Sequence, residues 1–90
     1  MTAYTHHAIA RAQQRAVPPL VVNWLLDYGR ARRHNGADVY FFDRRSRRRL
    51  EREVGGVALR RLDDLLDAYA VVADDGHVVT VGRRYRRLKN

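Results

Sequence analysis

Ninety residues make one domain with a thin core, which a partner or dimer contact would help to complete, and they leave no room for a second domain. The absence of cysteine excludes a disulfide framework and a thiolate metal site and suits a reducing, cytoplasmic compartment. The longest apolar stretch, Val17 to Leu26, is interrupted by Pro18, Pro19 and Asn23 and falls far short of the ~20 residues of a membrane span, and no signal peptide is visible at the start. The formal charge of +8 comes from 18 basic residues of which only Lys89 is a lysine, which points to a polyanionic partner: RNA, a ribosome or an acidic protein. A GC-rich genome also favours arginine over lysine, but it accounts less well for the excess of positive charge.

In chain order, residues 1 to 4 are a short lead-in. The stretch from His6 to Arg15, with Thr5 as its cap, has the alanines and glutamines of a helix. Helical spacing then sets His7, Arg11 and Arg15 at i, i+4 and i+8 on one face. A titratable imidazole beside two permanent cations suits binding, and even cleaving, a phosphodiester; the alternative is a solvated helix face. Pro18 and Pro19 link to a second helix starting near Pro19, whose apolar stripe of Leu20 or Val21, Trp24, Leu25 and Tyr28 belongs to the core and which Gly29 stops.

Arg30 to His34 and Asp38 to Asp43 read as a hairpin around Asn35-Gly36. Arg30, Arg32, Arg33 and His34 are expected near Tyr40 on the helix-bearing side of the sheet. Basic residues interleaved with aromatics suit single-stranded RNA, although arginines also serve to solvate an edge strand. Arg44 to Glu53 should be a charged helix capped by Ser46, ended by Gly55-Gly56 and seamed only by Leu50 and Val54. It is the strongest candidate for an electrostatic footprint, against the commoner solvated face.

Val57 to Tyr69 predicts a further helix, with Tyr69 inward and Asp63, Asp64 and Asp67 as a polar face paired with Arg60 or Arg61 rather than a metal site. Ala70 to Ala73 and His77 to Val81 form a second hairpin across Asp74-Asp75-Gly76, its imperfect alternation matching central strands buried on both sides. The cationic tail from Gly82 to Asn90 reads either as a flexible arm on RNA or as a strand extension that brings Arg83 or Tyr85 beside the first helix. The element order gives an α+β domain: an N-terminal helical pair with a single antiparallel sheet of about four strands.

The segment His7-Ala8-x-x-Arg11-x-x-x-Arg15, followed by a helix ending at Gly29, a strand through Tyr40, Phe41, Phe42 and Asp43, and a closing Val78-Val79-Thr80-Val81 strand, resembles a large family of small prokaryotic domains of unknown function that open with an HAxxRxxxR signature. That family is distantly similar to the RelE, ParE and BrnT toxins of bacterial toxin-antitoxin pairs. The likeness covers most of the chain, but its specific part is the three residues of the first helix plus Thr80. It implies a RelE-like fold, metal-independent RNA cleavage by 2′-OH attack and an antitoxin partner. In that scheme His7 is the acid or base, Arg11 and Arg15 hold the scissile phosphate, and Arg83 or Tyr85 assists from the last strand.

Beside the toxin-like endoribonuclease stands a non-enzymatic RNA- or ribosome-binding module, and behind both a protein-interaction component. Nucleic-acid contacts are expected at Arg32, Arg33, Arg44, Arg45, Arg47, Arg48, Arg84, Arg86 and Arg87, with no cofactor and no metal. GxxxxGK, Gly-x-Ser-x-Gly and HExxH are all missing from the sequence, which disfavours nucleotide hydrolysis, serine hydrolysis and zincin chemistry. Adjacent His6 and His7 diverge on a helix and do not chelate together; His34 and His77 fall at turns.

Overall fold

Thr5 organises the start of the fold. Its hydroxyl accepts from the Ala8 backbone N–H at 3.1 Å and donates to the Val79 carbonyl at 3.3 Å, so the same side chain caps α1 (His6–Gln14) and ties it to a strand 74 residues away. The lead-in is part of the sheet: Thr5 N–H donates to the Val78 carbonyl and Val78 N–H to the Ala3 carbonyl, forming a single parallel bridge at Tyr4. The computed structural model describes residues 3–84. Tyr85, Arg86 and Arg87 lie outside them.

α1 ends in a Schellman motif without the customary glycine. Ala16 adopts φ 55°, its N–H donates to the Gln13 carbonyl, and Val17 N–H reaches back to the Ala12 carbonyl at 2.8 Å. Arg15 is therefore the C-cap, one residue beyond the last helical position. α2 (Pro19–Tyr28) follows with proline in its first turn and buries Val21, Val22, Trp24 and Leu25. Gly29 ends it as expected, for a different reason: φ is −66°, but a Cβ would stand 2.5 Å from the Leu25 carbonyl oxygen.

β1 (Arg30–His34) and β2 (Ala37–Phe41) form the first hairpin, with Asn35 at φ 48° and Gly36 at φ 78° supplying the two positive φ values of a type I′ turn. α3 (Arg44–Val54) is capped by Asp43 rather than Ser46. Asp43 Oδ1 accepts from the Ser46 N–H at 2.8 Å, and Ser46 Oγ accepts from the Asp43 N–H at 2.8 Å, a capping box in which Ser46 is buried at the third helical position. Leu50 is fully buried and Val54 packs against the core, the two-residue seam that the sequence predicts.

α4 (Gly56–Arg61) is short, and a 3₁₀ turn (Asp63–Leu65) replaces the rest of the expected helix. β3 (Ala68–Val72) begins early enough to take Tyr69 into the sheet, where it is not an inward helix residue. β4 (Val78–Arg83) closes an antiparallel meander in the order β1-β2-β3-β4. The fold is thus α+β with a single four-stranded antiparallel sheet. The helices do not all precede it, since α3 and α4 are inserted between the two hairpins. β4 is an outer strand and not one buried on both faces; its broken alternation comes from a bulge, Val79 standing between the Thr80–Val71 and Val78–Val72 pairs. α1 lies on β4 and α2 on β3 and β2, covering one face of the sheet with Ala8, Val21, Val22, Leu25, Ala68, Ala70, Val78 and Val81 in a common core.

Candidate nucleic-acid interface

Six arginines, Arg44, Arg45, Arg47, Arg48, Arg49 and Arg52, follow one another along α3, and all are exposed. Glu51 and Glu53 share the helix, yet among the described residues no carboxylate comes within ion-pair distance of any of the six. The order explains this: arginine precedes glutamate at Arg47–Glu51 and Arg49–Glu53, the weaker orientation for an i, i+4 pair. The first turn contains no acid. Apart from the Asp43 cap, cations therefore crowd the positive end of the helix dipole, which disfavours the helix by itself and favours a further anion beside it.

Two clefts flank this helix. One, of about 360 Å³, runs between the end of α2 and the start of α3 and presents Arg30, Arg45 and Arg49 around Asp43. The other, of about 540 Å³, lies between α3 and the α4 region and presents Arg44, Arg47 and Arg48, with Glu51 and Asp63 at its margin. Asp43 is engaged in the cap. Its carboxyl is held below the ordinary value chiefly by the Ser46 N–H bond, then by the Ser46 hydroxyl and Arg30, against the opposing effect of burial. Arg30 Nη1 donates to Asp43 Oδ2 at 3.4 Å, a long, partly exposed contact of small energetic weight.

Arg84 joins this basic region from the end of β4. Its Nη2 donates to the Phe42 carbonyl at 3.1 Å, its guanidinium lies 5.0 Å from the centre of the Phe41 ring, and its Nε is buried without a hydrogen-bond partner. Burial, followed by the charge of Arg47, depresses its pKa, with Asp67 opposing. It remains a cation at neutral pH.

The residues of β1 separate. Cross-strand register sets Arg33 with Asp38 and Ala31 with Tyr40 on the helix-covered face, while Arg30, Arg32 and His34 belong to the other face. Only Arg33 of the four basic residues shares Tyr40's side, and its guanidinium is taken by Asp74 at 2.7 Å and Asp38 at 3.5 Å, which together raise its pKa. Arg32 is exposed, 6.0 Å from the Phe41 ring centre, with no carboxylate in ion-pair range among the described residues.

On α1, His7 is exposed one turn before half-buried Arg11, and Arg15 is exposed at the C-cap. Among the described residues neither His7 nor Arg11 has a side-chain hydrogen bond or an ion pair. Arg83 is committed within the protein: Nε donates to Asp67 Oδ1 at 2.8 Å and Nη2 to the Asp64 carbonyl at 2.6 Å, bracing β4 against the turn before β3. Asp67 thus pairs with Arg83 and not with Arg60 or Arg61, the partners that helical spacing suggests. No group of three or more potential metal ligands is assembled among the described residues, and no helix there is long and apolar enough to cross a membrane. His34 and His77 are both exposed.

Arg30 and Arg49 complete the first cleft; the sequence places them in the basic hairpin and the charged helix but not among the expected nucleic-acid contacts, and Arg49 is recoverable from its i, i+4 relation to Arg45. Phe41, Tyr69 and Gly82 also escape sequence reasoning as a group, because a helix drawn through Tyr69 hides its pairing with Phe41. No family model, curated protein or solved structure matches the chain.

Proposed function

We propose that this protein binds RNA through the phosphate backbone, with α3 and its two flanking clefts as the electrostatic centre. The observation that carries this reading is the run of six exposed arginines on α3 with no carboxylate in ion-pair range among the described residues. An ordinary solvated helix gathers acids in its first turn and sets glutamates before arginines; beyond its Asp43 cap, this one has arginines in the first turn and arginines before glutamates. Guanidinium forks satisfy phosphate oxygens bidentately, and a phosphate chain relieves the repulsion among them. Such binding weakens steeply with salt. A labelled single-stranded RNA should lose affinity between about 50 and 200 mM salt, and the Arg44→Ala/Arg47→Ala/Arg48→Ala variant should flatten the log–log slope by about 2, at roughly 0.7 for each phosphate no longer neutralised. An unchanged slope and affinity in that folded variant would refute the assignment.

A second reading, a RelE-like toxin that cuts RNA, draws on α1. The helix spans His6–Gln14, sets His7 one turn from Arg11, and leaves the imidazole exposed to a substrate. The helical pair packed on an antiparallel sheet supports the RelE-like architecture, and such a toxin would need an antitoxin to cover its basic surface. Induced expression should then arrest bacterial growth and create new RNA ends in the wild type but not in His7→Ala. Equal cleavage by both proteins excludes His7 as acid or base.

A further inference from the structure

Among the described residues, the helices cover one face of the sheet and no helix packs on the other. Ala68, Ala70, Val78, Val81 and Phe42 are buried on that face, and Tyr40 and Val72 pack against them. On the opposite face, cross-strand register lines up Arg30, Phe41, Tyr69 and Gly82 in one row over all four strands, with Arg32, Val39, Val71 and Thr80 in the next. Phe41, Tyr69, Val39 and Val71 lie outside the hydrophobic core and are only half-buried.

Gly82 shows how the platform is built. A Cβ at this position would fall 2.5 Å from Cζ and Oη of Tyr69 and 2.7 Å from Cε2. The Tyr69 ring therefore lies directly against the backbone of β4, a placement only glycine admits, and turns its other side outward. Beside it the guanidinium groups of Arg32 and Arg84 lie over the Phe41 ring, 6.0 and 5.0 Å from its centre, and themselves offer planes on which a base can stack. The strand residues of this face include no carboxylate, since Asp38 belongs to the helix-covered side.

We propose that this open face is a stacking platform for unpaired nucleotides, with one base on Tyr69, its neighbour on the arginine-covered Phe41 ring, and the intervening phosphate held by the outward guanidinium. The inference rests on the RNA-binding reading and adds that the bound RNA is single-stranded, because paired bases cannot offer their flat faces to the rings. Charge complementarity selects nucleic acid over a second copy of this chain, whose matching face would bring arginine to arginine. An acidic peptide would satisfy the arginines but has no requirement for two adjacent flat rings.

The test is fluorescence anisotropy with the full chain, using a labelled single-stranded RNA of about 12 nucleotides and a duplex of equal length. Tyr69→Leu should lower single-strand affinity about tenfold, leave the salt slope unchanged and leave duplex affinity unaffected. Tyr69→Phe, which keeps the ring, should bind as the wild type does, and Phe41→Leu supplies an independent loss if Tyr69→Leu fails to fold. Wild-type affinity in folded Tyr69→Leu and Phe41→Leu, with the α3 triple variant still impaired, overturns the platform and leaves the phosphate reading standing. Impaired sheet variants beside an unimpaired α3 variant overturn the α3 reading alone. A dimer that Tyr69→Leu dissociates without change in RNA affinity assigns the face to self-association and also overturns the platform.

Discussion

Arg47→Glu should make the protein more stable and a poorer RNA binder, a pairing that a merely solvated α3 would not produce. Arg47 is the fourth residue of an 11-residue helix whose first turn contains no acid. Reversing its charge relieves the conflict with the helix dipole, about 0.5–1 kcal/mol for a terminal charge. The new carboxylate also faces Arg84, whose pKa is depressed partly by Arg47 and whose Nε lacks a hydrogen-bond partner; a half-exposed attraction of this kind adds up to ~0.5 kcal/mol. Against these stands repulsion from Glu51 at i+4 and from the Asp43 cap at i−4, about 0.2–0.5 kcal/mol each. The balance is a small stabilisation of about 0.3 kcal/mol, or a rise in melting temperature of about 1–2 °C for a domain of this size. Circular dichroism melts at low ionic strength should show the rise, and added salt should shrink it. RNA anisotropy should show weaker binding and a shallower salt slope. A lower melting temperature refutes the dipole argument, and unchanged RNA affinity removes Arg47 from the interface.

Asp43→Ala should lower stability by about 1 kcal/mol through loss of the capping box, measured by thermal or urea unfolding. Because the Asp43 carboxyl is held below its ordinary value of 3.8, its contribution is complete above that pH and is lost as pH falls through the depressed folded-state value; the variant and wild-type acid unfolding curves should converge there. Ala16→Gly should stabilise the protein by about 0.5 kcal/mol, since alanine at φ 55° carries a steric cost that glycine avoids, and a lower melting temperature would contradict the assigned backbone. Leu50→Ala should cost about 2–5 kcal/mol, because Leu50 is the one fully buried apolar side chain by which α3 joins the core; a loss below about 1 kcal/mol in urea titration would show that the helix is held by other means.

On the proposed reading, the platform and the clefts around α3 would be two parts of one RNA path, with Arg84 between them. It lies over Phe41 on the open sheet face while feeling the charge of Arg47 on α3. Phosphates held along α3 would then feed bases toward the sheet, past an arginine whose Nε is buried and unbonded among the described residues.

Local chemistry alone settled the short-range features. Asn35-Gly36 fixed the first hairpin, since a type I′ turn needs two positive φ values; Pro19 and Gly29 bounded α2; and Leu50 with Val54 identified the single apolar seam of α3. The +8 charge and the arginine run were equally plain, because charge is a property of the chain before it folds. Tertiary structure decided what depends on partners distant in sequence. Tyr69 has the spacing of a helix residue, but pairing with Phe41 and Gly82 draws it into β3. Thr5 is recognisable as a cap, while its bond to Val79 follows from the position of β4. Which face of the sheet stays open, and hence which aromatics meet solvent beside arginines, follows from helices packing on one side only. No local pattern encodes that choice, because side chains alternate along every strand and it is the burial of the opposite face that assigns each one its side.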